Sequence, residues 1–222
     1  MTVERHPCVK IINEKGIRRS RRIKYLGADL NGRLSLKVTI NRKCRIAMDN
    51  LHKLKPIRKG LTLRASKTNA ISLVISHLDY TNSLYSGLPN TEVSKSQRIQ
   101  NITAKTITGA GKYHSSTEAL KTLRWLPIHL RREFEVLILV FRSMQGLAPN
   151  YLCDLIKVTR PTRSGLRSGN IENILLVPFI KYRIFADRAF GVFGRKTWNN
   201  LRSATDYKLF MGKLKTYVFQ RY

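Results

Sequence analysis

Leu130-Arg-Arg-Glu-Phe-Glu-Val-Leu-Ile-Leu-Val-Phe-Arg-Ser-Met-Gln145 is the stretch whose reading decides the fold class. Leu130, Phe134, Leu137, Ile138 and Phe141 recur at spacings of three and four, which puts them on one face of an α-helix. Gly146 and Pro149 follow as terminators. Working outward, the same period runs through Ile40, Cys44, Ala47, Met48, Leu51 and Leu54, with Pro56 as the stop. Residues 64–79 repeat it with Ala70, Leu73, Val74 and Leu78 on one face. Residues 92–108 do so again, closed by Gly109 and Gly111. Towards the C-terminus, residues 187–199 predict a helix burying Phe190, Phe193 and Trp198, and residues 208–219 another. Residues 160–170 are rich in turn formers and read as an exposed loop, and Ile174–Val177 reads as a short strand.

The start of the chain has a different pattern. Val9–Ile12 and Arg22–Leu26 read as strands, with Glu14-Lys-Gly16, Gly27 and Asn31-Gly32 as turns. The expected class is therefore mainly α with a small N-terminal β element, α+β overall. Trp125 and Trp198 lie in apolar blocks and are expected as core anchors, and Tyr25 is expected to pack under its strand in preference to stacking on a base.

Charge bears most directly on function. Among 222 residues, 42 Lys and Arg face 13 Asp and Glu, a net +29. Such a field attracts polyanions, of which nucleic acid is the usual partner of a compact protein. Residues 1–70 hold 19 of the cations and four of the carboxylates. Apolar residues reach 42%, enough for a core. The longest apolar runs, Val136–Phe141 and Ile174–Ile180, are far too short to span a membrane, and no secretory leader is visible at the N-terminus. Cys8, Cys44 and Cys153 have no paired spacing, so a reducing intracellular compartment, nuclear or cytoplasmic, is expected, with Cys44 and Cys153 as buried thiols.

Catalytic constellations do not assemble from this sequence. His6-Pro-Cys8 has no second ligand pair for zinc. His77 and Asp79, two apart on a helix, diverge by about 200°. Two-metal chemistry needs paired carboxylates, and there is no Asp-Asp dipeptide; Glu133 and Glu135 diverge on their helix. A phosphate-cradling Walker loop is absent too. No catalytic residue, metal ligand or cofactor is therefore assigned. Basic residues do form clusters. Arg18, Arg19, Arg21, Arg22 and Lys24 precede Tyr25, and Arg42, Lys43 and Arg45 follow on the first helix, with Lys53, Lys55, Arg58 and Lys59 beyond. The first eight are the candidate nucleic-acid-binding residues, tracking phosphates without reading bases.

Several blocks resemble the reverse transcriptases of non-LTR (LINE-type, jockey-like) retrotransposons. His77-Leu-Asp-Tyr-Thr-Asn-Ser-Leu-Tyr-Ser-Gly-Leu-Pro89 is similar to that family's "HLDYCN…GLP" segment, and Arg98-Ile-Gln-Asn-Ile-Thr-Ala-Lys105 to the segment that follows it. Leu123-Arg-Trp-Leu-Pro127, Arg131, Arg132 and Gly146-Leu-Ala-Pro-Asn-Tyr-Leu152 resemble its "LHWLPV…R…KALHGLAPxYL" block. Leu166-Arg-Ser168, Asp187-Arg-Ala-Phe190 and Thr197-Trp-Asn-Asn-Leu201 are similar to its closing elements, and Lys24-Tyr-Leu-Gly27 to its "KYLG" strand. Thr81, Tyr85-Ser86, Gly191-Val-Phe-Gly194 and Arg202-Ser203 depart from the pattern. The resemblance covers about residues 22–220. It implies a palm-end β remnant over 1–35, a helical thumb-like region over 36–159, and a loop with a C-terminal α segment over 160–222. It places the polymerase Asp-Asp motif before residue 1. The intact family enzyme would use Mg²⁺. The implied partners are RNA or an RNA–DNA duplex; the alternatives are part of an RNA-directed DNA polymerase completed by a separately encoded palm, and an inert pseudogene product or protein-interaction module.

Overall fold

The computed structural model describes residues 10–12, 15–17, 22–32, 35–86, 88, 90–111, 113–156, 174–179 and 187–202. Two compact bodies divide the chain, residues 1–39 and 40–222. The expected loop at 160–170 and helix at 208–219 lie outside the described residues, as do His6, Cys8, Arg18, Arg19 and Arg21.

The first body is built on two antiparallel hairpins. β1 (Lys10–Ile12) pairs with β2 (Lys15–Ile17), Ile12 opposite Lys15. Lys15 and Gly16, expected in a turn, therefore belong to a strand. β3 (Arg22–Tyr25) pairs with β4 (Ala28–Asn31), Tyr25 opposite Ala28. Leu26 (φ 44°) and Gly27 (φ 77°) join them. Positive φ at both positions is the turn whose twist matches two right-twisted strands, and glycine adopts it without a steric cost. In β4 the Asp29 N–H donates to Thr39 Oγ1 at 2.7 Å, and the Ser35 N–H to Asn31 Oδ1 at 2.8 Å. Only Ala28 of this hairpin is buried, and Tyr25 is 64% exposed. The expectation that Tyr25 packs beneath its strand is overturned, because a two-stranded ribbon supplies no second layer to cover it.

The second body is helical. α1 (Lys37–Ile57) buries Ile40, Cys44, Ala47, Leu51 and Leu54, the stripe read from the sequence. Pro56 sits inside its last turn and the chain then tightens into a 3₁₀ turn, Arg58–Gly60. α2 (Leu63–Ala70) is capped by Thr62, whose hydroxyl accepts from the Ala65 N–H at 3.3 Å. It runs through a π-helical turn, Ile71–Ile75, into α3 (Ser76–Asp79). The wider turn shifts the register: Ala70, Val74 and Leu78 are buried as expected, but Ile75 is buried while Leu73 is 44% exposed. Asn50 of α1 donates to the Leu73 carbonyl at 2.8 Å, stabilising the displaced backbone.

α4 (Asn90–Thr108), α5 (Ser116–Leu123) and α6 (Ile128–Met144) follow, α4 packing on both others. All three end on a left-handed residue (Gly109, Arg124, Gly146), after which the next N–H reaches back five residues, as from Leu147 to the Arg142 carbonyl at 2.9 Å. α7 (Asn150–Cys153) is one turn. α8 (Phe190–Arg202) packs on α6 so closely that a Cβ on Gly194 would lie 2.8 Å from Val140 Cγ2. Leu126, Leu130, Val136, Leu137, Val140, Ile156, Leu175 and Trp198 form the core there, and Trp125 is buried as well.

Three expectations change in this region. Phe190 and Phe193 are only half-buried; α8 turns Val192 and Arg195 inward instead. Arg195 Nε donates to the Leu155 carbonyl at 2.9 Å and Nη1 to that of Leu176, so its charge is buried among backbone dipoles. Residues 174–177 form no strand; the Asn199 amide pairs with the Leu175 backbone in both directions, at 3.0 and 2.9 Å. Cys153 is half-buried rather than buried. No helix among the described residues is long and apolar enough to cross a membrane.

Candidate nucleic-acid interface

Each body carries part of the expected cationic set. Arg22 and Lys24 alternate with Ile23 and Tyr25 along β3, all four exposed. Strand period therefore puts the two cations on one face of the ribbon. On α1, Arg42 and Arg45 are three residues apart and share a flank, with Arg45 exposed and Arg42 half-buried. Lys53 lies on the same flank, which Asp49 interrupts. Lys43 is turned away from that flank: its Nζ lies 4.2 Å from the centre of the Tyr80 ring, a cation–π contact. Consecutive residues diverge by about 100° on a helix, so Arg42-Lys-Cys-Arg45 cannot act as one patch. Arg58 is used internally, donating to the Ile107 carbonyl at 2.9 Å and the Leu61 carbonyl at 3.3 Å. Lys55 and Lys59 are exposed.

Asp79 and Glu135 are carboxylates close enough to influence one another electrostatically. Asp79 takes an ion pair from Arg131, not from His77. Burial pushes the Asp79 carboxyl up against the pull of Arg131, and burial followed by the Asp79 charge pushes Glu135 up to about 7. A guanidinium already lies among these carboxylates, so the set does not fit Mg²⁺. Among the described residues no group of three or more His, Cys, Asp or Glu side chains is placed to hold a metal ion.

These raised values make stability depend on pH. An unfolded Glu gives up its proton near pH 4.3, whereas folded Glu135 keeps it until about 7. Between those values the folded state binds more protons, so stability is full below the window and falls as pH rises through it. With solvent screening the loss is about 1–2 kcal/mol. Urea titrations at pH 5 and pH 8 are expected to show this fall in the natural chain and a smaller one in Glu135→Gln. An unchanged pH dependence in that variant removes Glu135 as its source.

Other polar groups carry no functional assignment from the sequence. Gln97 and Gln100, on α4, reach the start of α6: Gln97 Oε1 accepts from the Ile128 N–H at 2.8 Å, and Gln100 Nε2 donates to the Leu126 carbonyl at 2.8 Å. Arg132 is buried and donates to the Tyr85 carbonyl at 2.9 Å. An apolar-face count misses such residues because they follow tertiary contacts and not helical period. The adjacent Arg131-Arg132 pair was the available signal.

No protein-family model, curated protein or solved structure matches this chain.

Proposed function

We propose that this chain binds the backbone of RNA or an RNA–DNA duplex without reading sequence, as part of a retrotransposon reverse transcriptase; no Asp-Asp pair of the polymerase type occurs within these 222 residues. The charge carries the reading: 42 Lys and Arg against 13 Asp and Glu, densest in residues 1–70. Exposed Lys24, Arg45 and Lys53 are available to phosphates, and a phosphate contact releases a condensed counterion. The gain is the entropy of that release, the same for any base sequence. The exposed apolar side chains of β3, Ile23 and Tyr25, favour a second reading in which a separately encoded palm sheet covers them.

Fluorescence anisotropy with labelled duplexes of different sequence tests the first reading. Log affinity is expected to fall linearly with log salt, with similar slopes for all sequences. Absence of binding at low salt, or binding indifferent to salt, overturns it.

A further inference from the structure

α4 and α6 enclose an open cleft of about 560 Å³ whose walls include Gln97, Arg98, Asn101, His129, Arg132 and Glu133. The cleft lies at the first two turns of α6, a 17-residue helix whose N-cap, Pro127, offers no side-chain hydrogen bond. The positive end of that helix dipole lies at the region, where the Ile128 N–H is taken up by Gln97.

We propose that this cleft binds a phosphate group, with Arg98 and Arg132 as its cations from opposite walls and Glu133 accepting a hydroxyl or amino hydrogen of the same ligand. Arg132 is 8% exposed, yet it makes one hydrogen bond, to the Tyr85 carbonyl, and its Nε has no acceptor among the described residues. A guanidinium has five N–H donors, and a buried cation with a single neutral partner is costly unless an anion completes it. The carboxylate beside it, Glu133, influences Arg132 electrostatically but makes no ion pair with it among the described residues. Arg98 is exposed on the facing wall and makes no hydrogen bond or ion pair among the described residues. The two guanidinium groups thus flank the same space, Arg98 exposed and Arg132 short of acceptors among the described residues.

The wall between them is hydrogen-bonded. Gln97 Nε2 donates to Gln100 Oε1 and to Asn101 Oδ1, both at 2.9 Å, and with their other contacts the Gln97 and Gln100 amides are occupied and do not compete for the ligand. Partial burial holds the His129 imidazole below its ordinary pKa, with Glu133 opposing and Arg132 reinforcing the shift. At neutral pH it serves as a neutral donor or acceptor. Glu133 sets the selectivity. A second or third phosphate would approach its carboxylate, so a monophosphate carrying hydroxyl groups fits better than a polyphosphate. Two sources offer this chemistry, a free nucleoside monophosphate and the backbone phosphate of a strand. The cleft's own geometry, and not the net charge of the chain, carries this inference, so it can fail or hold apart from the reading above.

Isothermal titration calorimetry of the full chain with inorganic phosphate and with AMP tests it. Both are expected to bind, AMP more tightly than ATP. Arg98→Ala is expected to weaken both by about tenfold or more, the loss of one charge-assisted hydrogen bond. Glu133→Gln is expected to tighten inorganic phosphate by a few-fold, which a purely structural role for this surface residue would not do. Arg132→Lys, checked for folding by circular dichroism, is expected to lose binding with Arg98 intact. A nucleic-acid duplex that displaces AMP identifies the strand as the source, and simultaneous binding identifies the nucleotide. The proposal is overturned if the natural chain binds neither phosphate nor AMP, or if Arg98→Ala binds them as the natural chain does.

Discussion

The Leu137→Ala variant is expected to lose about 3–4 kcal/mol of folding stability. Leu137 is 2% exposed at the centre of the cluster joining α6 to Trp198 of α8. Truncation removes the transfer free energy of the lost atoms and leaves a cavity. Gly194 already brings α8 against Val140 at close approach, so the two helices have little freedom to move inward and fill it. The loss is a large share of the ~5–15 kcal/mol typical of folded domains. Self-repulsion at net +29 narrows the margin further. Urea unfolding followed by far-ultraviolet circular dichroism measures the change. Leu147→Ala is the control, because Leu147 is 74% exposed just past the helix and its truncation is expected to stay within about 0.5 kcal/mol. A loss below about 1 kcal/mol for Leu137→Ala would mean that α6 is not packed as described.

A second large effect is expected on binding. Replacing Arg18, Arg19, Arg21 and Arg22 together by Ala removes four cations from the densest cluster in the chain. Each phosphate contact contributes about 0.9 to the salt slope on duplex and about 0.7 on single strands. If all four touch phosphate, the duplex slope shrinks by roughly three to four units, with a matching loss of affinity at low salt. Side chains that act only through the general field change the slope by less than about one unit. The control removes equal charge elsewhere, at Lys157, Arg160, Arg163 and Arg167. Equal slopes for the two variants would assign binding to net charge and remove the N-terminal cluster as a site.

What the sequence disclosed follows from what kind of pattern each element obeys. α1, α4 and α6 were legible because their apolar stripes keep an unbroken helical period and their ends carry proline (α1) or glycine (α4 and α6). The helix over 63–79 was legible as an element but not in register, since the π turn adds a residue without any compositional mark, burying Ile75 in place of Leu73. In α8 the period was present but the aromatic residues were given too much weight. Val192 and Arg195 face inward, and a buried arginine becomes visible only once the Leu155 and Leu176 carbonyls are placed around it. Strand β3 was legible and its partner β4 was not: Ala28-Asp-Leu-Asn31 contains no β-branched residue. Of the candidate interface, the charge was fully legible. How adjacent cations separate, as Lys43 does from Arg42 and Arg45, depends on the helix and on a ring 37 residues further along the chain.

The reach of Gln97 across to Ile128 has a consequence for the order of folding. A helix begins at a cost, because its first turn fixes several residues for one hydrogen bond, and a local cap usually offsets part of it. α6 has no cap from its own neighbourhood and takes one from a residue 31 positions earlier. Its first turn therefore closes only when α4 has docked, and nucleation and long-range assembly become a single event. Mutations at Gln97 should then act on the folding rate more than on the unfolding rate if that docking belongs to the transition state. The amide of Ile128 would report directly on it, exchanging with solvent whenever the two helices part.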